Sequence, residues 1–469
     1  MKPVLLLDVV GLTLRQLGAA TPNLEALAAR GARSPMGAVL PAVTSTAQAT
    51  MLTGLDPSEH GAVGNGWYWR DRGEVAFWKQ SNAIVQGEKL YERARREDPT
   101  FTCAKLFWWW NQGAAVDWSI TPKPHYGADG SKVLDVHGAP SDYVRDTVAA
   151  LGPFPFFDFW GPRAGLPSTE WIAAAAIRTL ERQAPSLTLV YLPHLDYDHQ
   201  RHGPDDPRSR QAVADVDRVV GRLVEAADRA GAETVVVSEY GIEPAARPVH
   251  VNLALRRAGW IAVRPGPPRS AIGTTLDTFE SRALAVSDHQ LAHVYVKDPA
   301  DLEAVRELCA GLEGVAEVLD ADGKRAAGLD HERAGDMVLV AGRGAWFTYY
   351  YWLEGEQPPD FAPTVDIHRK PGYDPLEMFT DPALRLPALR VARRLLQKKL
   401  GMRYLMDVIP ARPTDAALVG GTHGRLPDDP QDGPLFLATR ACALPGDAPG
   451  EPYAMTSVPE RILALMRRE

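Results

Sequence analysis

A chain of 469 residues, 45% of them hydrophobic, can bury a sizeable core, which excludes a disordered or collagen-like polymer despite 39 prolines and 40 glycines. Fifty-one lysines and arginines against 59 aspartates and glutamates leave a net charge of −8, so the electrostatic footprint of a nucleic-acid binder is not expected. Cys103, Cys309 and Cys442 are odd in number and far apart, which excludes a disulfide framework or a thiolate zinc cluster and predicts reduced thiols in a cytoplasmic protein. In chain order, residues 4–7 read as a buried strand running into Asp8, an apolar run too short for a secretion signal and followed by no small-residue cleavage site. Residues 22–31 read as a helix with Thr21 at its N-cap, Pro22 at its first position and Gly31 at its end. Further helices are expected at 168–183, 208–230 and 251–258, and strands at Leu187–Leu192 and 234–237. No run of 18 apolar residues is present to span a membrane.

Strands alternating with helices predict an α/β fold whose mostly parallel sheet is covered on both faces. The pattern changes at Arg264-Pro265-Gly266-Pro267-Pro268, followed by a strand at 292–297, a helix at 298–312 and a strand at Val315–Leu319. The organisation expected is a first core part at 1–260, an α+β cap inserted at 261–344 and a second core part at 345–469.

Ligands of such sheets bind at the carboxyl ends of the strands. Three predicted strands end near acids: the first at Asp8, the second near His194 and Asp196, the third at Ser238-Glu239-Tyr240-Gly241. Each acid alone reads equally well as a helix cap, but three at one edge favour a shared cation site. A hydroxyl-rich turn, Thr44-Ser45-Thr46, opens a short helix that closes at Thr53-Gly54. Its hydroxyls are either caps or, in the case of Thr44, a nucleophile where free N–H groups favour phosphate.

Thr44, the Thr53-Gly54-Leu55 turn and the Pro57-x-x-His60-Gly61 ending resemble the nucleophile segment of the alkaline phosphatase superfamily. The similarity is to its nucleotide pyrophosphatase/phosphodiesterase branch, which includes phosphonoacetate hydrolase. In that branch the nucleophilic threonine lies nine positions before the threonine of Thr-Gly, the spacing of Thr44 and Thr53. Asp8 resembles the first metal-binding aspartate, Asp196 with Gly203-Pro204 a second ligand segment, and Gly420-Gly421-Thr422-His423-Gly424 the late segment carrying a metal-binding histidine. Two positions depart from the pattern. Gln200 stands where the family has histidine, with His199 and His202 on either side, and Glu239-Tyr240 stands where it has Asp-His.

The resemblance implies a three-layer alkaline-phosphatase-like core and hydrolysis of a small phosphodiester, phosphate monoester or pyrophosphate through a phosphothreonine at Thr44. Phosphonate C–P hydrolysis and a phosphomutase-like reaction are the nearest enzymatic alternatives, and a binding protein with a degenerate metal site is the alternative of another class. Two divalent metals are implied, zinc by the family, with manganese suited to the oxygen-rich set. Asp8, Thr44 and Glu239 would hold one; Asp196, His423 and one of His199, Gln200 or His202 the other. Tyr240 is a poor ligand that could instead bond a phosphate oxygen. Asp288-His289 and the stretch from Asp366 through His368 to Asp374 are equally dense in ligand types. The aromatic runs at 107–110 and 346–352 read mainly as core, and Arg369 and Lys370 as either anion-binding or solvated.

Overall fold

The apolar run that opens the chain becomes the middle of a nine-stranded sheet. In the computed structural model, which describes residues 1–128, 132–268 and 270–467, Val4–Val9 pairs in parallel with Leu187–Leu192 on one side and Glu233–Val237 on the other. Every residue of these three strands is buried. A strand covered on both faces has no solvent side to alternate with, which is why each reads as a continuous apolar run.

Cys103–Leu106 and Trp118–Pro122 extend the sheet in parallel, and Val136–His137 closes that edge antiparallel. Beyond Glu233–Val237, Leu435–Ala438 runs antiparallel both to it and to Ala32–Gly37, and Tyr453–Ala454 forms the other edge. Leu435–Ala438 therefore lies between two strands from earlier in the chain. Alternate side chains feed two layers. Leu5, Leu7 and Val9 pack with Leu24, Ile172 and Val216, from the helices Pro22–Arg30, Leu166–Gln183 and Pro207–Arg229. Val4 and Leu6 pack with Met51, Leu90 and Ile462, from Thr44–Thr53, Leu90–Glu97 and Val458–Met466. This is a three-layer α/β core with a mostly parallel sheet.

Residues 283–341 build a second sheet of four antiparallel strands, in the order Ala283–Asp288, Leu291–Val296, Met337–Ala341, Val315–Leu319. The expected strand–helix–strand unit is present, with Leu302–Ala310 as its helix. Its two strands are not neighbours, because Met337–Ala341 lies between them, antiparallel to both. One face of this sheet (Leu284, Val286, Leu291, Tyr295, Val338) joins the main core, and the other has its own cluster with residues 345–352.

Local readings differ in two places. Thr21 precedes its helix, but its hydroxyl bonds back to Gly18 rather than capping. The opening strand is longer than residues 4–7, so Asp8 lies inside it, opposite Tyr191 and Val237. The aromatic runs are buried throughout, as core.

Candidate active site

The carboxyl ends of three adjacent central strands deliver Asp8, the Asp196 helix His194–His202 and Glu239-Tyr240 to one place. Thr44–Thr53 brings Thr44 to the same point. Its N-cap is Val43, and no hydroxyl of its first turn caps it. The Thr44 hydroxyl instead donates to Glu239 Oε2 at 2.7 Å and lies 3.2 Å from the Tyr240 hydroxyl. Of the two readings of this threonine, the capping one is therefore set aside. The helix ends on Gly54 at φ 73°, a left-handed conformation glycine adopts without steric cost.

Gln48, one turn after Thr44 on the same helix face, donates to Asp8 Oδ2 at 3.1 Å and to Glu239 Oε1 at 2.6 Å. Its carbonyl accepts from the Trp109 N–H at 2.6 Å. Tyr240 donates to Asp196 Oδ1 at 3.2 Å. Its ring stacks on His423 at 3.6 Å, and His289 lies against the same imidazole at 3.6 Å. Gln200 Oε1 accepts from Tyr373 at 3.1 Å, and Tyr373 stacks on His289 at 3.8 Å. Asn65 holds the neighbourhood in register. Its amide oxygen takes the Ser45 N–H at 3.0 Å, and its own N–H donates to Asp288 at 2.7 Å.

Three non-glycine residues around the site hold positive φ: Phe107 at 59°, Trp110 at 54° and His289 at 58°. Such backbone is held only where its surroundings enforce it. Here the first two flank the residue whose N–H holds Gln48, and the third presents the imidazole stacked on His423.

Burial sets the electrostatics. It pushes Asp8 well above the usual carboxylate range, with the Glu239 charge adding to the effect. It raises Glu239 to about 7 and Asp196 to about 6. It lowers His423 to about 3. His423 Nδ1 lies 2.8 Å from the Ala42 carbonyl, which only accepts. Nδ1 therefore carries the proton, and the bare Nε2 faces Asp196 Oδ1 at 3.9 Å.

Buried atoms here without a hydrogen-bond partner include Asp8 Oδ1, His423 Nε2 and the Gln200 amide nitrogen. A carboxylate oxygen and an unprotonated imidazole nitrogen are what a divalent cation takes, so the donors fit cation binding in two half-sites, Asp8–Glu239–Thr44 and Asp196–His423–Gln200. Among the described residues, however, no three His, Cys, Asp or Glu side chains gather as one metal cluster. The positions that depart from the family pattern account for this. Gln200 and Tyr240 supply neutral oxygens, and the Tyr240 ring fills the space against His423.

Of the sequence candidates, Asp8, Thr44, Asp196, Glu239, Tyr240 and His423 converge, with Gln200 beside them. The other three histidines do not. His199 Nε2 lies 3.4 Å from the Gln16 amide, and its Nδ1 faces Gly11. His202 sits half-buried with Arg208 and Asp198. His368 contacts the Phe77 carbonyl at 3.4 Å. On a helix i+6 lies about 120° from Asp196, which takes His202 away, whereas i+3 and i+4 fall on opposite sides of it, and here Gln200 at i+4 is the one turned to the site while His199 at i+3 turns toward Gln16. Lys370 is neither solvated nor free for an anion. It is buried between Asp374 and Glu377, each at 2.8 Å, and Arg369 pairs with Asp360. Gln48, Asn65 and Tyr373 were missed. Helical spacing from Thr44 would have found Gln48; nothing local marks Asn65 or Tyr373.

Comparison with known proteins shows the family and the fold. Residues 4–374 match the model of the type I phosphodiesterase / nucleotide pyrophosphatase family. The chain belongs to that family. A Schizosaccharomyces pombe protein described as an uncharacterized pyrophosphatase/phosphodiesterase is 26% identical over 232 residues, which cover 48% of this chain and 41% of the yeast protein. The chain thus spans about two fifths of the length of that curated relative. Among solved structures, phosphonoacetate hydrolase from Sinorhizobium meliloti in complex with phosphonoformate superposes with a TM-score of 0.60 at 16% identity, covering 99% of this chain and 96% of the other. Murine ectonucleotide pyrophosphatase/phosphodiesterase 5 gives 0.58 at 14% identity, covering 99% and 95%. The fold is alkaline-phosphatase-like.

Proposed function

We propose that this protein is a divalent-metal-dependent phosphoester hydrolase acting through Thr44 on a small phosphorylated or phosphonate substrate. The observation that carries the reading is the Thr44 hydroxyl aimed at Glu239 at the start of a helix, with Asp8, Asp196 and His423 around it. Asp8, Glu239 and Thr44 Oγ would hold one cation and Asp196, His423 and Gln200 Oε1 the other, zinc or manganese. Bound there, such ions neutralise phosphoryl charge and make a hydroxyl more acidic.

The chain's own residues then do the following. Glu239 Oε2 takes the proton as Thr44 Oγ attacks phosphorus. The bond to the leaving group breaks opposite, leaving a phosphothreonine. The N–H groups of the first helical turn face the phosphoryl oxygens. The Tyr240 hydroxyl, between Thr44 and Asp196, donates to the same oxygens as charge develops. Water then cleaves the phosphothreonine, and the proton on Glu239 returns to Thr44 Oγ. We place the protein in the cytoplasm, a reading supported by its three buried, unpaired thiols.

The test is Thr44→Ala. Turnover of chromogenic diesters, monoesters or phosphonates, whichever the wild type cleaves, should fall at least about 10³-fold. Metal binding by calorimetry should persist. An active variant removes Thr44 from the mechanism. A second reading, a phosphate-ester-binding protein without turnover, is favoured by Tyr240 packed on His423 and by Gln200. It predicts zero or one equivalent of metal and no turnover in the wild type.

A further inference from the structure

The helix Pro387–Lys399 is built the wrong way round for a surface helix of a globular protein. Such helices turn leucines inward and charges outward. Here Leu389, Leu396 and Leu400, spaced to share one face, are 64, 56 and 64% exposed. Leu386 and Leu395 beside them are 66 and 51% exposed. The half-buried face carries Pro387 and Val391 but is otherwise polar. Arg390 and Arg394 both turn back to Asp407, Arg394 at 2.9 Å, and Arg394 also bonds Gln397. No residue of the helix is buried. The segment lies beyond residues 4–374, the part matched to the family.

Charge says what covers this face. Residues 385–403 contain seven basic residues and no acidic one, in a chain whose net charge is −8. Among the described residues, Arg385, Arg393, Lys398, Lys399 and Arg403 pair with no carboxylate and all five are exposed, with Arg393 and Lys399 flanking the leucine stripe. A second copy of the chain docked here about a twofold axis would set this positive patch against itself. A lone helix also offers no groove for a peptide. An apolar stripe edged by lysine and arginine suits the boundary between anionic headgroups and acyl chains. We propose that this face docks the protein on an anionic phospholipid surface, the helix lying in the plane of the interface with its leucines inserted. The proposal is independent of the hydrolase reading, since no residue of the site takes part.

The experiment is flotation of the full chain with vesicles of phosphatidylcholine alone or with about 30 mol% phosphatidylserine. Binding is expected to the anionic vesicles only. The triple variant Leu389→Gln/Leu396→Gln/Leu400→Gln should weaken it at least about tenfold. The variant Arg393→Gln/Lys398→Gln/Lys399→Gln should weaken it about 100-fold at low salt, a difference that about 1 M salt removes. Because the substituted side chains are exposed, both variants should melt as the wild type does, and those curves separate lost docking from lost folding. Failure to float with either vesicle, equal flotation with both, or undiminished binding by the leucine variant overturns the proposal. A wild type that self-associates in light scattering, ignores vesicles and turns monomeric in the leucine variant overturns it too, in favour of a contact between copies.

Discussion

Tyr240 is the residue at which this chain parts most sharply from the pattern its family suggests. Its hydroxyl joins Thr44 to Asp196, and its ring occupies the face of His423. If it donates to phosphoryl oxygens in the transition state, Tyr240→Phe keeps the stack, leaves the fold intact and lowers kcat by about 10²-fold. Steady-state kinetics with metal held saturating would show this, and an unchanged kcat would relieve Tyr240 of any part in the chemistry. His60, from the same sequence signature as Thr44, has a structural task. Its Nδ1 accepts from the Ala62 N–H at 3.1 Å, so Nε2 carries the proton toward Thr50 Oγ1 at 2.9 Å. Burial, then the charge of His331, pushes this imidazole down to about 3. The folded state therefore binds no proton at His60 where an unfolded histidine, titrating near 6.5, does. The stability contributed by the neutral ring is full above pH 6.5 and lost as pH falls toward 3. His60→Gln should cost about 1–3 kcal/mol at pH 8 through its broken bonds. That gap should narrow as pH drops from about 6.5 to about 4, which denaturant midpoints across the range would measure. A constant gap means that His60 titrates normally.

At the scale of elements, the site depends on close approaches of backbone that the sequence only partly discloses. The strand Gly421–Thr422 lies against the helix His194–His202, and a Cβ on Gly421 would stand 2.2 Å from the His199 carbonyl oxygen. The backbone cannot yield as a flexible side chain would. Gly421→Ala should separate the segment carrying His423 from the helix carrying Asp196, costing about 1–3 kcal/mol. Its melting temperature and its metal affinity should fall together; a loss of stability with metal affinity intact would mean that the two segments of the Asp196–His423 half-site are not coupled through this contact. The glycines around His423 advertised such an approach, as the continuous apolar strands advertised a doubly covered sheet. The acids at strand ends were legible for the same reason, since a parallel sheet puts its carboxyl ends at one edge. Asn65 and Tyr373 were not legible. Their partners are 20 to 223 residues away in sequence, and no local period encodes a pairing that only tertiary packing makes. The neighbouring histidines misled for a simpler reason, because composition raises ligand density without fixing which way a helical side chain points.

Across the whole molecule, the same convergence that builds the site also opposes folding of the metal-free chain. Asp8, Glu239 and Asp196 are buried together, and burial moves all three upward because none can be charged there without cost. A divalent cation bound there, as proposed, would take the place of the protons and offset the cost of burying the charges. Its binding free energy belongs to the folded state alone, because the unfolded chain scatters Asp8, Glu239 and His423 over more than four hundred residues. At a free metal concentration 100 times the dissociation constant, the stabilisation is about 2.7 kcal/mol. Zinc or manganese should therefore raise the melting temperature of the wild type and of Thr44→Ala alike, and barely that of Asp8→Asn, which lacks one carboxylate of the pair. Calcium or magnesium should do less if His423 Nε2 is a ligand, since both prefer oxygen. Thermal melts of the three proteins across these ions read binding directly, apart from any turnover. A wild type whose melting temperature ignores all four ions has no working cation site, and the phosphate-ester-binding reading then takes the place of the hydrolase.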